Sequence, residues 1–379
     1  MRIALVHDYL TQRGGAERVF EMFCRQFPDA DIFTSVYDPE RTIELRQRLV
    51  NTTLLQSIPG ARRYFRLFAP LYFTAFRMLD LSEYDLIISS SSSFSKSVRK
   101  RPDAHHICFC HNVTRFLWDT DTYLRGYQSF ESASGLLEPL FSYMRQLDIT
   151  YAEEPDLYVA NSTIVEKRIS KIYRQPVITI NYPIDEKRFT FSAQKEDFYL
   201  VSCRLLSYKR VDIIVEAFNR LGWPLIITGR GPERKRLESM AADNIQFVGH
   251  VSDEERRRLF SQAKLVVVAA LEDYGLVPIE ANVSGTPVIA YGAGGVLDSQ
   301  IPGKTGLFFA EQTADSLCSV LVEAQSRNWN YKAIHQHAME NFSEAAFFDR
   351  VKRLINRQVA SEQISQLSAD QALSSIANA

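Results

Sequence analysis

Two consecutive series of short apolar runs, each bounded by turn residues, constrain this chain more than any other feature. The first comprises Ile3–Val6, Asp31–Val36, Asp85–Ser89, Ile107–Cys110, Leu157–Ala160 and Val177–Ile180. The second comprises Tyr199–Ser202, Leu225–Thr228, Ile245–Val248, Leu265–Ala269, Val288–Ala290 and Leu307–Phe309. Stretches of helical period, such as Arg210–Leu221 and Asp253–Ala263, lie between them. Alternation of this kind predicts parallel strands joined by crossover helices, which cover both faces of a sheet. The expected fold class is therefore α/β, with two wound parallel sheets in series. The first domain is placed at residues 1–182 and the second at 183–341, with Tyr182–Glu196 as the link. Residues 342–379 follow as a tail: Phe342–Val359 has apolar residues at helical spacing behind Ser343, a candidate N-cap, and Ala360–Ala379 is rich in Ser, Ala and Gln.

Length supports the division, because a single hydrophobic core stops growing near roughly 250–300 residues and this chain has 379, with 46% apolar side chains. A formal net charge of -1 gives no global attraction to nucleic acid or anionic lipid, so electrostatic recognition has to be local and a nucleic-acid partner is not expected. Five cysteines, an odd number, do not read as a disulfide framework; they fit a reducing compartment, with the cytoplasm as the expected location. The apolar run at the start is interrupted by His7 and Asp8, too soon for a signal-peptide core or a membrane span.

Ligands of such sheets bind beyond the carboxyl ends of the strands, where helix N-termini present unpaired amides. The most informative segment there is Leu271–Gly295. Glu272 is expected in a loop and Glu280 in the first turn of a helix welcoming Pro278, with Gly275, Leu276 and Val277 between them. A diphosphate facing that turn would meet several amides and the positive end of the helix dipole. From spacing alone it stays open whether Glu280 and Glu272 face ribose and sugar or merely complement the dipole and solvent. Arg204 and Lys209 follow the strand Tyr199–Ser202 and can converge on its carboxyl end, where cations stabilise a departing diphosphate. His111 closes the strand Ile107–Cys110 at the expected cleft edge. The Cys108-x-Cys110-His111 run lacks a matching second cluster, so no zinc site is expected. Gly14 and Gly15 let the first loop approach a ligand closely, but the loop is not Gly-x-Gly-x-x-Gly, and NAD binding loses support. Gly303-Lys304-Thr305 has no phosphate-loop context, and Gly292–Gly295 is expected as a flexible turn over the ligand.

Taken in order, the double-glycine loop, the His111 strand end, Arg204 with Lys209, the Gly229-Arg230-Gly231-Pro232 turn, the Glu272-x7-Glu280 segment and the Phe342-Ser343 helix start resemble one family over the whole chain. That family is glycosyltransferase family 4 of bacterial polysaccharide synthesis, whose GT-B fold faces two Rossmann-like domains. The resemblance implies an acceptor domain first, a nucleotide-sugar donor domain second, and a C-terminal helix crossing back to the first. By position it implies that Arg204 and Lys209 bind the diphosphate, Glu280 the ribose, and Glu272 the donor sugar. The Gly275, Leu276 and Val277 amides, with Tyr274 beside them, would meet phosphate and sugar. His111 would contact the sugar from the other domain, Gly14 and Gly15 would lie near phosphate or acceptor, and Gly229 with His250 and Val251 would flank the base. It further implies transfer with retention of anomeric configuration, without metal or any cofactor besides the donor, by front-face substitution. The stretch Glu272-Asp273-Tyr274 departs from the pattern, since many relatives carry phenylalanine two or three positions after the start of this motif. A likeness to heterocyst envelope polysaccharide enzymes favours UDP-glucose as donor, with GDP-mannose second.

Residues 61–80 combine Arg62, Arg63, Arg66 and Arg77 with many aromatics around Pro70. Such a stretch either packs as core with arginines at its rim or lies at a bilayer interface and brings the protein to a lipid-linked acceptor. Two other functions share this architecture: a UDP-sugar 2-epimerase, and a nucleotide-sugar-binding protein without turnover.

Overall fold

The computed structural model describes residues 1–45, 48–119 and 134–358. The first half forms a seven-stranded parallel sheet from β1 (Ile3–His7), β2 (Asp31–Thr34), β3 (Val50–Thr52), β4 (Leu86–Ser91), β5 (His105–Cys110), β6 (Leu157–Ala160) and β7 (Val177–Thr179), in the order β3-β2-β1-β4-β5-β6-β7. The second half forms a six-stranded parallel sheet from β8 (Tyr199–Ser202), β9 (Leu225–Thr228), β10 (Ile245–Gly249), β11 (Leu265–Val268), β12 (Val288–Tyr291) and β13 (Gly306–Phe309), ordered β10-β9-β8-β11-β12-β13. Every predicted run holds a strand. The unexpected β3 is an edge strand of intermediate exposure, too short and too polar to stand out as an apolar run.

Strand order reverses between β1 and β4 and again between β8 and β11. At these points the crossover helices diverge to opposite faces and leave a crevice at the carboxyl ends. Buried apolar side chains fill both faces of each sheet, as parallel strands require.

The tail returns to the first domain. The helix Tyr331–Phe342 stops, Ser343 bridges to Ile184, and the Ser343 hydroxyl accepts from Ala346 N at 3.2 Å to cap a new helix over 344–358. Phe347, Phe348, Val351 and Ile355 of that helix join the same core as Phe20, Phe23 and Phe109, and Phe23 meets the rings of Phe347 and Phe348 edge-on at 5.7 and 5.3 Å. Each buried phenylalanine contributes about 1.5–3 kcal/mol, enough to hold the helix on the domain it did not grow from.

The stretch 61–80 packs into the core on one side and is exposed on the other. It folds as Ala61–Tyr64, Phe65–Phe68 and Ala69–Arg77, burying Phe65, Tyr72, Phe73 and Phe76 in the first-domain core. Tyr64, Leu67, Leu71 and Met78 stay exposed, beside exposed Arg62, Arg63 and Arg66. Among the described residues no helix is long and apolar enough to cross a membrane.

Candidate active site

The second domain brings Lys209 and Glu272 together. Lys209 ends the short turn Ser207–Lys209 after β8, Glu272 follows β11, and Nζ donates to Oε1 at 2.6 Å. Both side chains are largely buried, at 15% and 19% exposure. Burial pulls the ammonium pKa down, but the charge and hydrogen bond of Glu272 outweigh it and hold Lys209 above the ordinary lysine value. Arg204 is exposed two residues beyond β8, and its guanidinium meets no carboxylate among the described residues.

Glycines lock the neighbouring loops. Gly229 has φ of +119°, and a Cβ there would lie 1.8 Å from the Cys203 carbonyl oxygen; one at Gly231 would lie 2.1 Å from that of Leu205. The turn after β9 thus packs backbone to backbone on the loop carrying Arg204, with Leu205 N donating to Arg230 O at 2.9 Å. Gly229 N in turn donates to Gly249 O at 2.7 Å, which sets the turn after β10 alongside, with His250 exposed and Val251 against the core.

Two expectations need correction around Glu272. The Gly292–Gly295 turn is a brace, not a free flap: Gly295 N donates to Glu272 O at 2.8 Å, and Gly294 bridges to Glu272. Gly275, at φ of +88°, caps the helix Leu276–Val283, so Glu280 falls in its second turn rather than its first. There the carboxylate is buried and engaged by Arg256 and, at 4.0 Å, by Arg18 of the first domain. Tyr274 is also buried: its hydroxyl donates to Tyr182 O at 2.5 Å, and its ring joins the first-domain core.

In the first domain His111 directly follows β5. Its Nε2 lies 2.7 Å from Ser90 Oγ, and the same hydroxyl lies 3.0 Å from Nδ1 of His7 at the end of β1. Burial, reinforced by the neighbouring His7, pushes the His111 pKa down to about 3, so its imidazole is neutral near pH 7. Neither His7 nor Ser90 stood out in the sequence; the signal was the serine run Ser89–Ser93, which ends β4 and begins the loop beyond it. That run wraps the buried carboxylate of Asp8, which accepts the amides of Ser92, Ser93, Phe94 and Ser95 at 2.7–2.9 Å. Gly14 and Gly15 begin the helix Gly15–Gln26, whose N-terminus is already closed by Glu17, with Gly14 N donating to Oε2 at 2.8 Å. Gly15 touches the other domain, for a Cβ there would stand 3.0 Å from Leu276 Cδ1. The loops named for the two sides of the cleft therefore meet.

A polar cluster the sequence did not announce lies alongside. Asn112, Arg115 and Arg168 of the first domain converge on the carboxylate of Asp273. A cavity of about 1370 Å³ opens there, lined among others by Asn112, Arg115, Arg168, Tyr208, Glu272 and Asp273. Among the described residues, no group of three or more His, Cys, Asp or Glu is placed to hold a metal ion.

Two facing Rossmann-like parallel-sheet domains with a helix returning to the first define a GT-B architecture. Residues 13–188 match Glycosyltransferase Family 4 and residues 183–338 match Glycosyl transferases group 1. Together these cover most of the chain, and it belongs to glycosyltransferase family 4. The O-antigen chain mannosyltransferase C of Escherichia coli is 24% identical over 230 residues, 54% of this chain and 58% of that protein, so the alignment leaves much of the relative unmatched. Sucrose-phosphate synthase from Thermosynechococcus elongatus is similar in structure, with a TM-score of 0.71 and 19% identity over 95% of this chain and all (100%) of the other. Anabaena HepE, solved with UDP-glucose, gives a TM-score of 0.64 and 15% identity over 94% of this chain and 100% of its own.

Proposed function

We propose that this protein is a retaining, metal-independent hexosyltransferase that uses a nucleotide diphosphate sugar, UDP-glucose before GDP-mannose, to extend a saccharide or lipid-linked acceptor. The observation that carries the reading is the Lys209–Glu272 pair at the carboxyl ends of β8 and β11, with Arg204, which meets no carboxylate among the described residues, on the same loop as Lys209 and with the amide-bearing start of the helix Leu276–Val283 after Glu272. In this reading Lys209 and Arg204 hold the diphosphate, whose charge grows as the sugar leaves, and the Gly275, Leu276 and Val277 amides add fixed dipoles. Glu272 accepts hydrogen bonds from sugar hydroxyls, and neutral His111 offers a hydrogen bond from the acceptor side. The acceptor oxygen bonds to the anomeric carbon on the face the phosphate leaves, and the hydroxyl proton passes to a phosphate oxygen. No carboxylate nucleophile is required, and retention follows. Support for a glucose donor comes from the similarity to HepE, which was solved with UDP-glucose.

Thermal shift with UDP-, GDP- and ADP-sugars in EDTA identifies the donor, since ligand bound to the folded form raises its stability. Turnover with that donor, followed by product analysis, then tests the reading. Transfer to an acceptor with the anomer retained agrees with it; an epimerised sugar formed without acceptor assigns a 2-epimerase; donor binding with no turnover assigns a binding protein.

The exposed Tyr64, Leu67, Leu71 and Met78 beside Arg62, Arg63 and Arg66 favour a lipid-linked acceptor reached at the cytoplasmic face of a membrane. Co-sedimentation with vesicles containing anionic lipid should succeed with the unmodified chain and fail once those three arginines are serine. No binding by the unmodified chain removes the membrane contact.

A further inference from the structure

The carboxylate of Asp273, one residue beyond Glu272, is taken up by the first domain. It accepts from Arg168 Nη1 at 2.5 Å on Oδ1, and from Arg115 Nη1 at 3.0 Å and Asn112 Nδ2 at 2.7 Å on Oδ2. These donors come from three separate parts of the first domain: the loop after β5, the helix Arg115–Trp118 and the helix Thr163–Ile172. Asn112 Oδ1 also accepts from Arg168 at 3.2 Å, which ties two of the donors to each other. Arg115 has a second carboxylate, Asp119, at 3.2 Å, whereas Arg168 pairs with no other carboxylate among the described residues. Just behind, Ser162 Oγ donates to the Asp273 carbonyl, and Asp298 accepts from Thr163 N and Oγ1 at 2.7 and 2.6 Å. With Gly295 N on the Glu272 carbonyl, the two residues are gripped by the first domain on one side and by the second on the other.

We infer that Asp273 is a positioning residue: it sets Glu272 for sugar transfer by fastening the loop of both residues to Asn112, Arg115 and Arg168 when the domains close. The inference rests on the role given above to Glu272. Physically, the loop is attached to both domains, and only with both sets of contacts engaged is the backbone of Glu272 fixed from two directions. In an open cleft Arg168 loses its carboxylate and Asp273 loses three donors, so closure and the placement of Glu272 are one event. The Lys209 to Glu272 contact lies wholly within the second domain and does not depend on it; donor binding is accordingly expected to survive loss of the fastening, while turnover is not.

The test uses the full chain, UDP as binding probe, and turnover of whichever nucleotide sugar the shift assay selects. Asp273→Arg places a cation against Arg115 and Arg168. It should raise the radius of gyration of the unliganded protein in small-angle scattering and lower kcat about 10- to 100-fold, the scale of a roughly 1 Å misplacement. The UDP dissociation constant should stay within about threefold, since a shared interaction with substrate and transition state would show there instead. Combining Asp273→Arg with Arg168→Asp should recover most of the compaction and of kcat; a merely structural defect would deepen with the second change. Asp273→Asn, which keeps the shape and one acceptor oxygen, should fall between. Wild-type scattering and kcat in Asp273→Arg overturn the inference, as does a double variant no better than the single one. Glu272→Gln is the separate reference: if its kcat is undiminished, the role of Glu272 fails on its own, and scattering still reports whether Asp273 closes the domains.

Discussion

Replacing Lys209 by methionine removes a cation while keeping the chain's bulk. In the proposed reaction the leaving phosphate gains about one unit of charge, and a cation about 4 Å away at an effective dielectric constant near 20 is worth about 4 kcal/mol. Part of that attraction already exists with the bound donor, so the loss specific to the transition state is smaller; removing one preorganised donor of this kind typically costs about 10²–10³ in kcat. A second effect acts on stability. Glu272 is 19% exposed and would lose the ammonium 2.6 Å away, a desolvation cost of about 1–3 kcal/mol. A domain of this size registers each kcal/mol as roughly 2–4 °C in Tm. Steady-state turnover, UDP titration calorimetry and scanning calorimetry separate the two. Adding Glu272→Gln should restore much of the Tm, because no unpaired carboxylate remains, but none of the turnover. Lys209→Met with kcat within tenfold of the unmodified protein would refute the placement of the diphosphate at this pair.

Three further outcomes are expected. Burial lowers the pKa of His106 and of His111 from 6.5 to about 3, and that of His7 in the same direction, so the unfolded chain binds protons that the folded chain refuses. Stability contributed by these neutral histidines is present above pH 6.5 and lost as pH falls towards 3; urea midpoints should decline between pH 7 and 5, before most carboxylates titrate, and equal midpoints contradict the burial argument. Asp148 is fully buried against Lys96 at 2.6 Å and also serves Thr114, Trp118 and Tyr173. Asp148→Ala should therefore cost about 3–5 kcal/mol in denaturant unfolding, by leaving a buried cation alone. Gly229→Ala should abolish the folded second domain, because its Cβ would overlap the Cys203 carbonyl, whereas Gly222→Ala, also at positive φ but with nothing within 4 Å, should cost only roughly 1–2 kcal/mol by thermal melting.

Local pattern carried the elements. A strand or crossover helix is recognisable from its own residues, so the α/β class, every predicted run and the amphipathic tail helix were legible, and only the three-residue β3 lacked enough apolar side chains to show. The mixture of arginines and aromatics in residues 61–80 was also visible as composition. It took packing to assign Phe65, Tyr72, Phe73 and Phe76 to the core and Tyr64, Leu67, Leu71 and Met78 to the surface. Spacing likewise put Lys209 and Glu272 at strand ends that a parallel sheet makes adjacent, though it did not say that they touch. What depends on side chains far apart in sequence was hidden: the shared hydroxyl of Ser90 between His7 and His111, the capture of the serine run by Asp8, the arginines on Glu280, and the inward turn of Tyr274. The Asp273 cluster is the extreme case, since its partners lie more than a hundred residues away in another domain. Periodicity reports which face of an element is apolar, and the meeting of two such elements is decided only when burial of those faces brings their ends, and the polar groups on them, to one place.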